Sequence, residues 1–228
     1  MSSIPNKDLH AIRGKFYISR LIEEGEHEHQ DFKFQISDAR KIARSISAFA
    51  NNDGGLLLVG VKDNGVVAGI RSEEDIHVIE AAAEIYCRPA VEVEMRTFRC
   101  DGGAVVLRAS IPRAARRPVE CRDDDGRWRA YYRVADENIL AHPLMVRAWR
   151  QQCSLSPLAL CGAEGSLLTA ALARRGHASV EELMIDCHLS RGAAEEALTA
   201  LVSAGIVGFE YHHPVFRLIL NENTHSNG

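Results

Sequence analysis

The amino-acid sequence predicts an α+β fold, in which a mixed or antiparallel sheet with flanking helices precedes a small winged helix-turn-helix. Three observations lead to this prediction. A continuous apolar run, Leu56 to Val61, lies between two glycine-containing turns and is typical of a buried strand. Alternating apolar and polar segments joined by Asp- and Gly-rich turns indicate hairpins. The C-terminal part shows helical spacing of its apolar residues, followed by two short strand-like segments.

The first part of the chain is predicted to mix helices and strands. Helical spacing of apolar residues places a helix or helix-turn at residues 9–24 and helices at residues 38–50, 72–86 and 138–150. Alternating or continuous apolar segments place strands at residues 30–36, 56–61, 66–70, 91–99, 104–111, 119–122 and 127–134. We expect Ser37 or Asp38 to cap the second helix, and Gly54 and Gly55 to supply positive φ angles in the turn after it.

The C-terminal part is predicted to form three helices and a β-ribbon. The helices are placed at residues 167–174, 179–187 and 190–204, and the ribbon strands at 208–211 and 215–220. Ser179 and Glu182 have the spacing of a capping box. A helix, a short helix, a turn, a longer helix and a wing together form the pattern of a winged helix-turn-helix.

These elements predict two domains. The boundaries are expected to give a first domain at 1–150, a linker at 151–163, a winged-helix-like domain at 164–221 and a disordered tail at 222–228. The first domain is electrically neutral, with 23 basic and 23 acidic residues, whereas residues 151–228 hold 4 basic and 8 acidic residues. The whole net charge of −4 therefore lies in the C-terminal part, and strong nonspecific binding to a polyanion is not expected.

Composition predicts a cytoplasmic protein without a membrane partner. No apolar run is long enough to span a bilayer, and the N-terminus lacks the apolar core of a secretory signal. The six cysteines have no CxxC spacing, so we expect reduced thiols and neither a disulfide framework nor a zinc site.

Three acids are candidate metal ligands and catalytic residues: Glu26, Asp31 and Asp63. Carboxylates that converge on one point can hold Mg²⁺ or Mn²⁺, which could activate water against a phosphodiester. Lys33 would lie on the same strand face as Asp31 and could neutralise phosphate charge. The alternative is that these acids are solvated or pair with neighbouring cations and hold no metal ion.

Several short motifs resemble one family, the Schlafen-type AlbA-like domain, over residues 15–150. The motifs are Glu26, Asp31-Phe32-Lys33, Ala48-Phe49-Ala50-Asn51, Gly54-Gly55, Gly60-Val61-Lys62-Asp63 and Tyr132-Arg133-Val134. The family is often described as DNA-binding and is sometimes labelled ATPase-like. In eukaryotic relatives the three matching acids form a ribonuclease site, so the resemblance implies either binding or cleavage of nucleic acid. The second acid is usually Glu, whereas this chain has Asp31.

Two further motifs have competing interpretations. His27 and His29 alternate with acids and could bind a transition metal, although histidines on exposed segments are more often solvated. The segment Asn51 to Gly55 resembles a phosphate-binding loop only superficially. It has no lysine after its glycines and stands between a helix and a strand, so ATP binding is not expected.

Arginines and aromatic residues predict a nucleic-acid-binding surface. The candidate residues are Arg113, Arg116, Arg117, Arg127, Trp128, Arg129 and Arg133. Arginines contact phosphates and aromatic rings stack on unpaired bases. The alternative is an arginine-rich exposed sheet whose aromatic residues pack in the core.

The predicted recognition helix is poorly suited to reading DNA. Arg191 is its one cation, and Glu195 and Glu196 would repel phosphates. Part of the apolar face of this helix is expected to fill the core of its own module. We expect the rest of that face, with Leu218 and Leu220, to join a second copy of the chain, giving a homo-oligomer.

Three functions remain open from the sequence. The first is a bacterial-type regulatory protein, a transcriptional regulator that binds DNA or RNA. The second is a metal-dependent nuclease that uses the three carboxylates. The third is a protein-interaction adaptor, which the acidic C-terminal part favours.

Overall fold

The computed structural model describes residues 12–151 and 162–221. Most of the predicted linker and the whole predicted tail, 222–228, therefore lie outside the described residues. The chain divides into two compact units that meet at Leu140 and Ala141. The sequence places this border about ten residues later. The helix after Ala141 belongs with the second unit because its Leu144 packs in the core of that unit.

The described residues contain seven helices and twelve strands. The helices are α1 (Lys15–Glu24), α2 (Ala39–Asn51), α3 (Glu74–Glu84), α4 (Pro143–Gln151), α5 (Gly162–Arg175), α6 (Val180–Cys187) and α7 (Arg191–Ser203). The strands are β1 (Ile12–Arg13), β2 (Gln30–Lys33), β3 (Gly55–Val59), β4 (Cys87–Arg88), β5 (Glu94–Arg99), β6 (Val105–Ile111), β7 (Glu120–Arg122), β8 (Trp128–Val134), β9 (Glu137–Leu140), β10 (His177–Ala178), β11 (Val207–His212) and β12 (Val215–Leu220).

The first unit contains two sheets. The larger sheet has the order β1-β5-β6-β3-β2, with antiparallel pairing in its centre and parallel pairing at both edges. The smaller sheet has the order β4-β7-β8-β9 and is antiparallel throughout. Together with the helices, these sheets confirm the predicted α+β class with a mixed sheet.

Helix α2 lies at the centre of this unit. Asp38 caps it by accepting a hydrogen bond from the backbone N–H of Arg40, as one of the two predicted caps. Its apolar residues, including Ile46 and Phe49, share one core with Leu57 of the larger sheet and Val119 beside the smaller one. Helix α1 covers the other face of the larger sheet with a second, smaller core.

Two predicted elements are wrong. Residues 66–70 do not form a strand; one bridge links Val61 to Val67. The N–H groups of Ala68 and Gly69 both donate to the Gly60 carbonyl oxygen, which folds the segment into a tight turn. Residues 137–140 are not helical but form β9, because the chain turns back after β8 and pairs with it. Helix α4 begins only at Pro143, a residue well suited to a first helical position.

The turn after α2 uses its two glycines for different reasons. Gly54 has a φ of +82°, as predicted. Gly55 has no positive φ; a Cβ atom there would lie 2.2 Å from the Phe49 ring. Close packing of the ring against the strand, and not backbone conformation, therefore requires the second glycine.

The second unit contains α4 to α7 and a three-stranded sheet of order β10-β12-β11. The predicted capping box is present: Ser179 accepts from the backbone N–H of Glu182, whose side chain accepts from the Ser179 N–H. Leu198 and Leu201 of α7 and Leu218 of β12 are buried in the core of the unit itself. These positions are therefore used within one chain, and the predicted dimer contact cannot depend on them. The winged-helix identification stays a prediction.

No helix among residues 12–151 and 162–221 is long and apolar enough to cross a membrane.

Candidate functional site

Two of the three predicted acids are brought together. Asp31 lies on β2 and is 3% exposed, and its carboxylate is 2.8 Å from the Lys33 ammonium and 3.4 Å from the Arg133 guanidinium. Glu26 accepts a hydrogen bond from the backbone N–H of Phe32 at 2.9 Å. Burial, followed by contact with the Asp31 carboxyl group, raises the pKa of Glu26. Glu26 and Asp31 therefore form a pair, and the Asp31 carboxylate already has ion pairs with Lys33 and Arg133.

Asp63 does not join this pair. It lies exposed on the turn after β3, six positions beyond Leu57, the residue that pairs with Asp31 in the sheet. Within the described ranges, no three His, Cys, Asp or Glu side chains are grouped so that they could hold a metal ion. The predicted convergence of the three carboxylates is therefore not observed. Catalysis by Glu26, Asp31 and Lys33 stays a prediction.

Arg133 was predicted to contact nucleic acid, but its side chain is 1% exposed. Its guanidinium stacks over the Phe49 ring at 4.9 Å. Its hydrogen-bond acceptors are the His27 carbonyl oxygen at 3.2 Å, the Gln30 carbonyl oxygen at 3.1 Å and Asn138 Oδ1 at 3.0 Å. With Asp31 as its counter-ion, Arg133 joins the β2 segment to the smaller sheet and cannot reach a phosphate.

Two asparagines have structural roles that the sequence analysis missed. Asn51 Nδ2 donates to the carbonyl oxygens of Val119 and Tyr131, both at 2.9 Å, and Oδ1 accepts from the Val119 N–H at 2.8 Å. Asn52 Nδ2 likewise donates to the Arg133 carbonyl oxygen, and Asn52 Oδ1 accepts from the Arg133 N–H. The Ala-Asn-Asn sequence at the end of α2 thus holds the smaller sheet against the helix. Two consecutive asparagines at the end of the predicted helix were the sequence feature that could have indicated this role.

Strand β8 has an inner face toward α2 and an outer face away from it. The inner face carries Arg129, Tyr131 and Arg133; the Tyr131 N–H donates to Ser47 Oγ on α2 at 3.0 Å. Alternation places Trp128 and Tyr132 on the outer face. Because alternate residues of β8 point to opposite faces, the residues of the predicted basic surface fall into two groups with different surroundings.

Arg129 belongs to an ion-pair network at the tip of the β7–β8 hairpin. It lies 2.6 Å from both Asp123 and Asp125, and Arg44 of α2 also pairs with Asp123. Burial alone would raise the pKa of Asp123, but hydrogen bonds from Tyr131, Arg129 and Arg44 outweigh it and hold this pKa at about 2. The Arg129 guanidinium thus already has two ion-pair partners within the hairpin.

This network predicts acid sensitivity. In the folded chain Asp123 stays ionised down to about pH 2, whereas its ordinary pKa is 3.8. Below that value the unfolded chain binds more protons, so this stabilisation is present above about pH 4 and is lost as the pH falls toward 2. The difference in free energy of unfolding between wild type and Asp123→Asn should shrink by about 2 kcal/mol over this window.

Urea titrations between pH 2 and 6 measure this difference. Asp136→Asn is the control, because Asp136 is exposed in the β8–β9 turn. The difference in free energy of unfolding between Asp136→Asn and wild type should not show the same change between pH 4 and 2. An Asp123→Asn difference that is constant from pH 2 to 6 would contradict the assignment of the network as a charge-dependent contact.

The remaining arginines are more accessible. Arg113 pairs with Asp53 at 2.6 Å on the surface, and Arg117 is half-buried and donates to the Asn51 carbonyl oxygen at 2.9 Å. Arg116 is exposed and has no ion-pair partner among residues 12–151 and 162–221. Arg127 is exposed and lies 3.7 Å from Asp125. Of the predicted set, these positions keep cationic groups near solvent.

The outer face of the smaller sheet carries an exposed aromatic ring beside a cation. Trp128 is 36% exposed, and the β7–β8 register places Arg122 directly opposite it. Farther along the same face, burial followed by the charges of Glu28 and Asp53 raises the pKa of Tyr132. The outer face therefore carries Trp128 and Arg122 near solvent at one end, whereas the buried Ala130 and the partly buried Tyr132 follow along β8.

Hydrogen bonds determine the neutral tautomers of His27 and His29. His29 Nδ1 lies 3.1 Å from the Gly54 carbonyl oxygen, which only accepts, so Nδ1 carries the proton and Nε2 is an acceptor. His27 Nδ1 accepts from the His29 backbone N–H at 3.2 Å, so its Nε2 carries the proton. The two rings thus offer one donor and one acceptor, and metal binding by them stays a prediction.

Two solved structures match parts of this chain. Among solved structures, the DIP2311 protein from Corynebacterium diphtheriae is 22% identical, with a TM-score of 0.42, over 72% of this chain and 31% of that one. The N-terminal domain of a RecG-related protein from Nitrosomonas europaea, named as an ATP-dependent DNA helicase, is 24% identical, with a TM-score of 0.38, over 51% of this chain and 87% of that one. No curated protein matches the chain significantly.

One protein family matches the chain by sequence. The family described as Schlafen, AlbA_2 matches residues 26–142, which are just over half of the chain. The matched range begins at Glu26 and includes Asp31, the Asn51 motif and Arg133, the residues that join α2, β2 and the smaller sheet. The chain belongs to the Schlafen AlbA_2 family.

Proposed function

We propose that the first unit binds single-stranded nucleic acid across the outer face of its smaller sheet. The observation that carries this proposal is the exposed Trp128 ring with Arg122 directly opposite on the neighbouring strand. An aromatic side chain on an open sheet face can stack on an unpaired base, and an adjacent guanidinium can contact the phosphate beside it. Membership of the AlbA_2 family agrees with such a role.

The outer face provides a path for more than one nucleotide. Tyr132 lies four residues beyond Trp128 on the same face, roughly 13 Å away at the usual strand rise. Beyond it lies the β6–β7 loop with Arg113, Arg116 and Arg117. Since the first unit, residues 1–140, holds 21 basic and 23 acidic residues and so has no excess of positive charge, binding depends on this local arrangement and not on overall charge.

The acids support a binding role over a catalytic one. Asp31 is buried between Lys33 and Arg133, and Glu26 accepts a backbone hydrogen bond. Asp63 lies apart from them on an exposed turn. No observation specifically favours the nuclease alternative.

The second unit is proposed to serve regulation through contacts other than direct DNA reading. Arg191 is paired with Glu181 at 2.9 Å and with Glu195 at 3.3 Å, so its charge is already used. The apolar face of α7 packs in the core of the second unit itself. Transcriptional regulation in the cytoplasm, a winged-helix role for this unit and assembly with a second copy are parts of this proposal.

Trp128→Ala is expected to weaken binding of single-stranded oligonucleotides roughly tenfold or more, because it removes one base-stacking contact. Arg122→Gln should lower the slope of log affinity against log salt concentration by about 0.7, the value for one lost phosphate contact on a single strand. Fluorescence anisotropy with labelled single-stranded DNA and RNA over a salt series measures both effects and identifies the preferred strand.

Phe34→Ala is a matched control. Phe34 is also an exposed aromatic residue beside a cation, with the Lys62 ammonium 5.1 Å from its ring, but it lies outside the smaller sheet. Its replacement should leave affinity unchanged. Equal losses in Trp128→Ala and Phe34→Ala, or no loss in either, would refute the outer face as the binding surface.

A further inference from the structure

A pocket of about 400 Å³ opens beside the C-terminal end of α1. Its floor is one row of paired residues across the larger sheet: Gln30 of β2 pairs with Leu56 of β3, which pairs with Ser110 of β6. Helix α1 ends at Glu24, so it leaves this end of the sheet face uncovered. The pocket therefore results from the length of α1 and the register of three strands.

The floor of the pocket contains an acceptor without a donor. The Gln30 side chain is 1% exposed, and its Nε2 donates to the carbonyl oxygens of Leu21 at 2.5 Å and Gly25 at 2.7 Å. These two bonds fix the amide orientation, because carbonyl oxygens only accept. Gln30 Oε1 is left shielded from solvent with no hydrogen-bond partner in the described part of the chain. Such an orphan acceptor is unfavourable until a donor reaches it, and because it is shielded from solvent a bound water is the donor that could link it to a ligand in the pocket.

The other polar groups of the pocket also favour a ligand rich in N–H groups. Glu24 and Asp53 contribute carboxylates, and the neutral His29 ring contributes an acceptor at Nε2. The Ser110 hydroxyl has no hydrogen-bond partner among residues 12–151 and 162–221. The His27 ring, with its proton on Nε2, contributes a donor. Acceptors thus outnumber donors on the pocket wall.

Two arginines lie near one of the lining carboxylates. Asp53 is paired with Arg113 at 2.6 Å, which brings the basic β6–β7 loop to the rim. Arg117 lies near the same carboxylate. An acceptor-rich floor below arginines matches a nucleotide, whose base carries N–H donors and whose phosphate is anionic.

We propose that this pocket binds an unpaired guanine base. The Watson–Crick edge of guanine presents two adjacent N–H donors, at N1 and N2, and one acceptor, O6. That edge complements several acceptors and the His27 donor, whereas uracil and thymine present a single imide donor. A volume of about 400 Å³ is in the range of small-molecule sites. The assignment deepens the proposed binding of single-stranded nucleic acid: bases stack along the outer face, and one guanine enters the pocket.

Inosine tests the assignment, because it is guanosine without the 2-amino group. Wild-type protein should bind a single-stranded oligonucleotide with one guanosine about tenfold more tightly than the same strand with inosine, since lost polar contacts in a buried site typically cost this much or more. Ser110→Leu places a larger side chain on the pocket floor and should abolish this preference. Ser37→Leu, on the exposed segment before α2, is the matched control and should retain it.

Ser110→Ala is the second variant, and circular dichroism checks the fold of each protein. Removing only the hydroxyl should reduce the preference severalfold without filling the pocket. Equal binding of the guanosine and inosine strands by wild type, or a full preference in a folded Ser110→Leu protein, would overturn the proposal. If Ser110→Leu does not fold, an undiminished preference in Ser110→Ala would do so.

Free nucleotides separate this proposal from the proposed function. Guanosine and inosine monophosphate are titrated into wild-type protein and followed by calorimetry. A guanosine preference with the monophosphates, but no binding of any strand, would support the pocket and refute strand binding. A preference seen only within a strand would place the ligand in a nucleic acid. Trp128→Ala should weaken both strands equally and leave the guanosine-to-inosine ratio unchanged. Absence of a preference in both formats would reject the pocket assignment.

Discussion

Replacing Arg133 with methionine is expected to lower the free energy of unfolding by about 3–5 kcal/mol, the cost of breaking a buried ion pair from one side. The methionine side chain fills a similar length but donates no hydrogen bonds. The buried Asp31 would lose one of its two cationic partners, and the carbonyl oxygens of His27 and Gln30 would lose their donor. Urea unfolding followed by circular dichroism measures the loss.

Two further variants show whether the buried charge causes this effect. Arg127→Met removes an exposed guanidinium from the same hairpin and should change stability by less than about 0.5 kcal/mol. Adding Asp31→Asn to Arg133→Met should cost less than the sum of the single changes, because the charge left without Arg133 is removed as well. Additive losses would show that the two residues act independently. If Arg133→Met were as stable as Arg127→Met, the buried ion pair would not hold the unit together.

Asn51→Ala is expected to cost about 3 kcal/mol of folding stability. The Val119 N–H and the Tyr131 carbonyl oxygen both lose Asn51 as a partner, whereas the Val119 carbonyl oxygen keeps the Ser47 hydroxyl as a donor. Asn51 is fully buried, so water cannot easily replace the amide, and each unpaired buried group costs about 1–3 kcal/mol. Thermal and urea unfolding of the full chain measure the effect.

A charged variant and a matched asparagine make this test specific. Asn51→Asp keeps an acceptor for the Val119 N–H but turns an oxygen toward two carbonyl groups, so it should be at least as unstable as Asn51→Ala at neutral pH. Asn64→Ala is the control, because Asn64 accepts one hydrogen bond from the Val66 N–H on an exposed turn. An Asn51→Asp protein as stable as wild type would show that the amide donors do not matter.

Local sequence patterns predicted most of the elements of the fold. Helix α2 was predicted to within a residue or two at each end, because its apolar spacing and the Asp38 cap are both local signals. The hairpin of β5 and β6 was predicted by alternation on both sides of an Asp-Gly-Gly turn. Prediction failed at β9, where pairing with β8 outweighed a weak helical pattern around residue 138.

Side-chain roles were less predictable than elements. The arginines in and just before β8 look alike in sequence, yet Arg133 is buried against Phe49 while Arg127 is exposed. Asn51 and Asn52 looked like the end of a helix, and only the position of the smaller sheet makes them its hydrogen-bond partners. Asp63 follows a strand, as predicted, but it lies on an exposed turn, and within the described ranges it joins no group of three side chains that could hold a metal ion.

The sequence by itself determined the α+β class, the family and most of the helices and strands, because these follow from local periodicity, turn residues and short motifs. Only the tertiary structure decided which face of β8 meets α2. A shift of one residue in strand pairing would exchange the two faces and place Trp128 inside and Arg133 outside. That parity is set by pairing with β7 and β9 and by packing on α2, which are contacts between residues far apart in the chain.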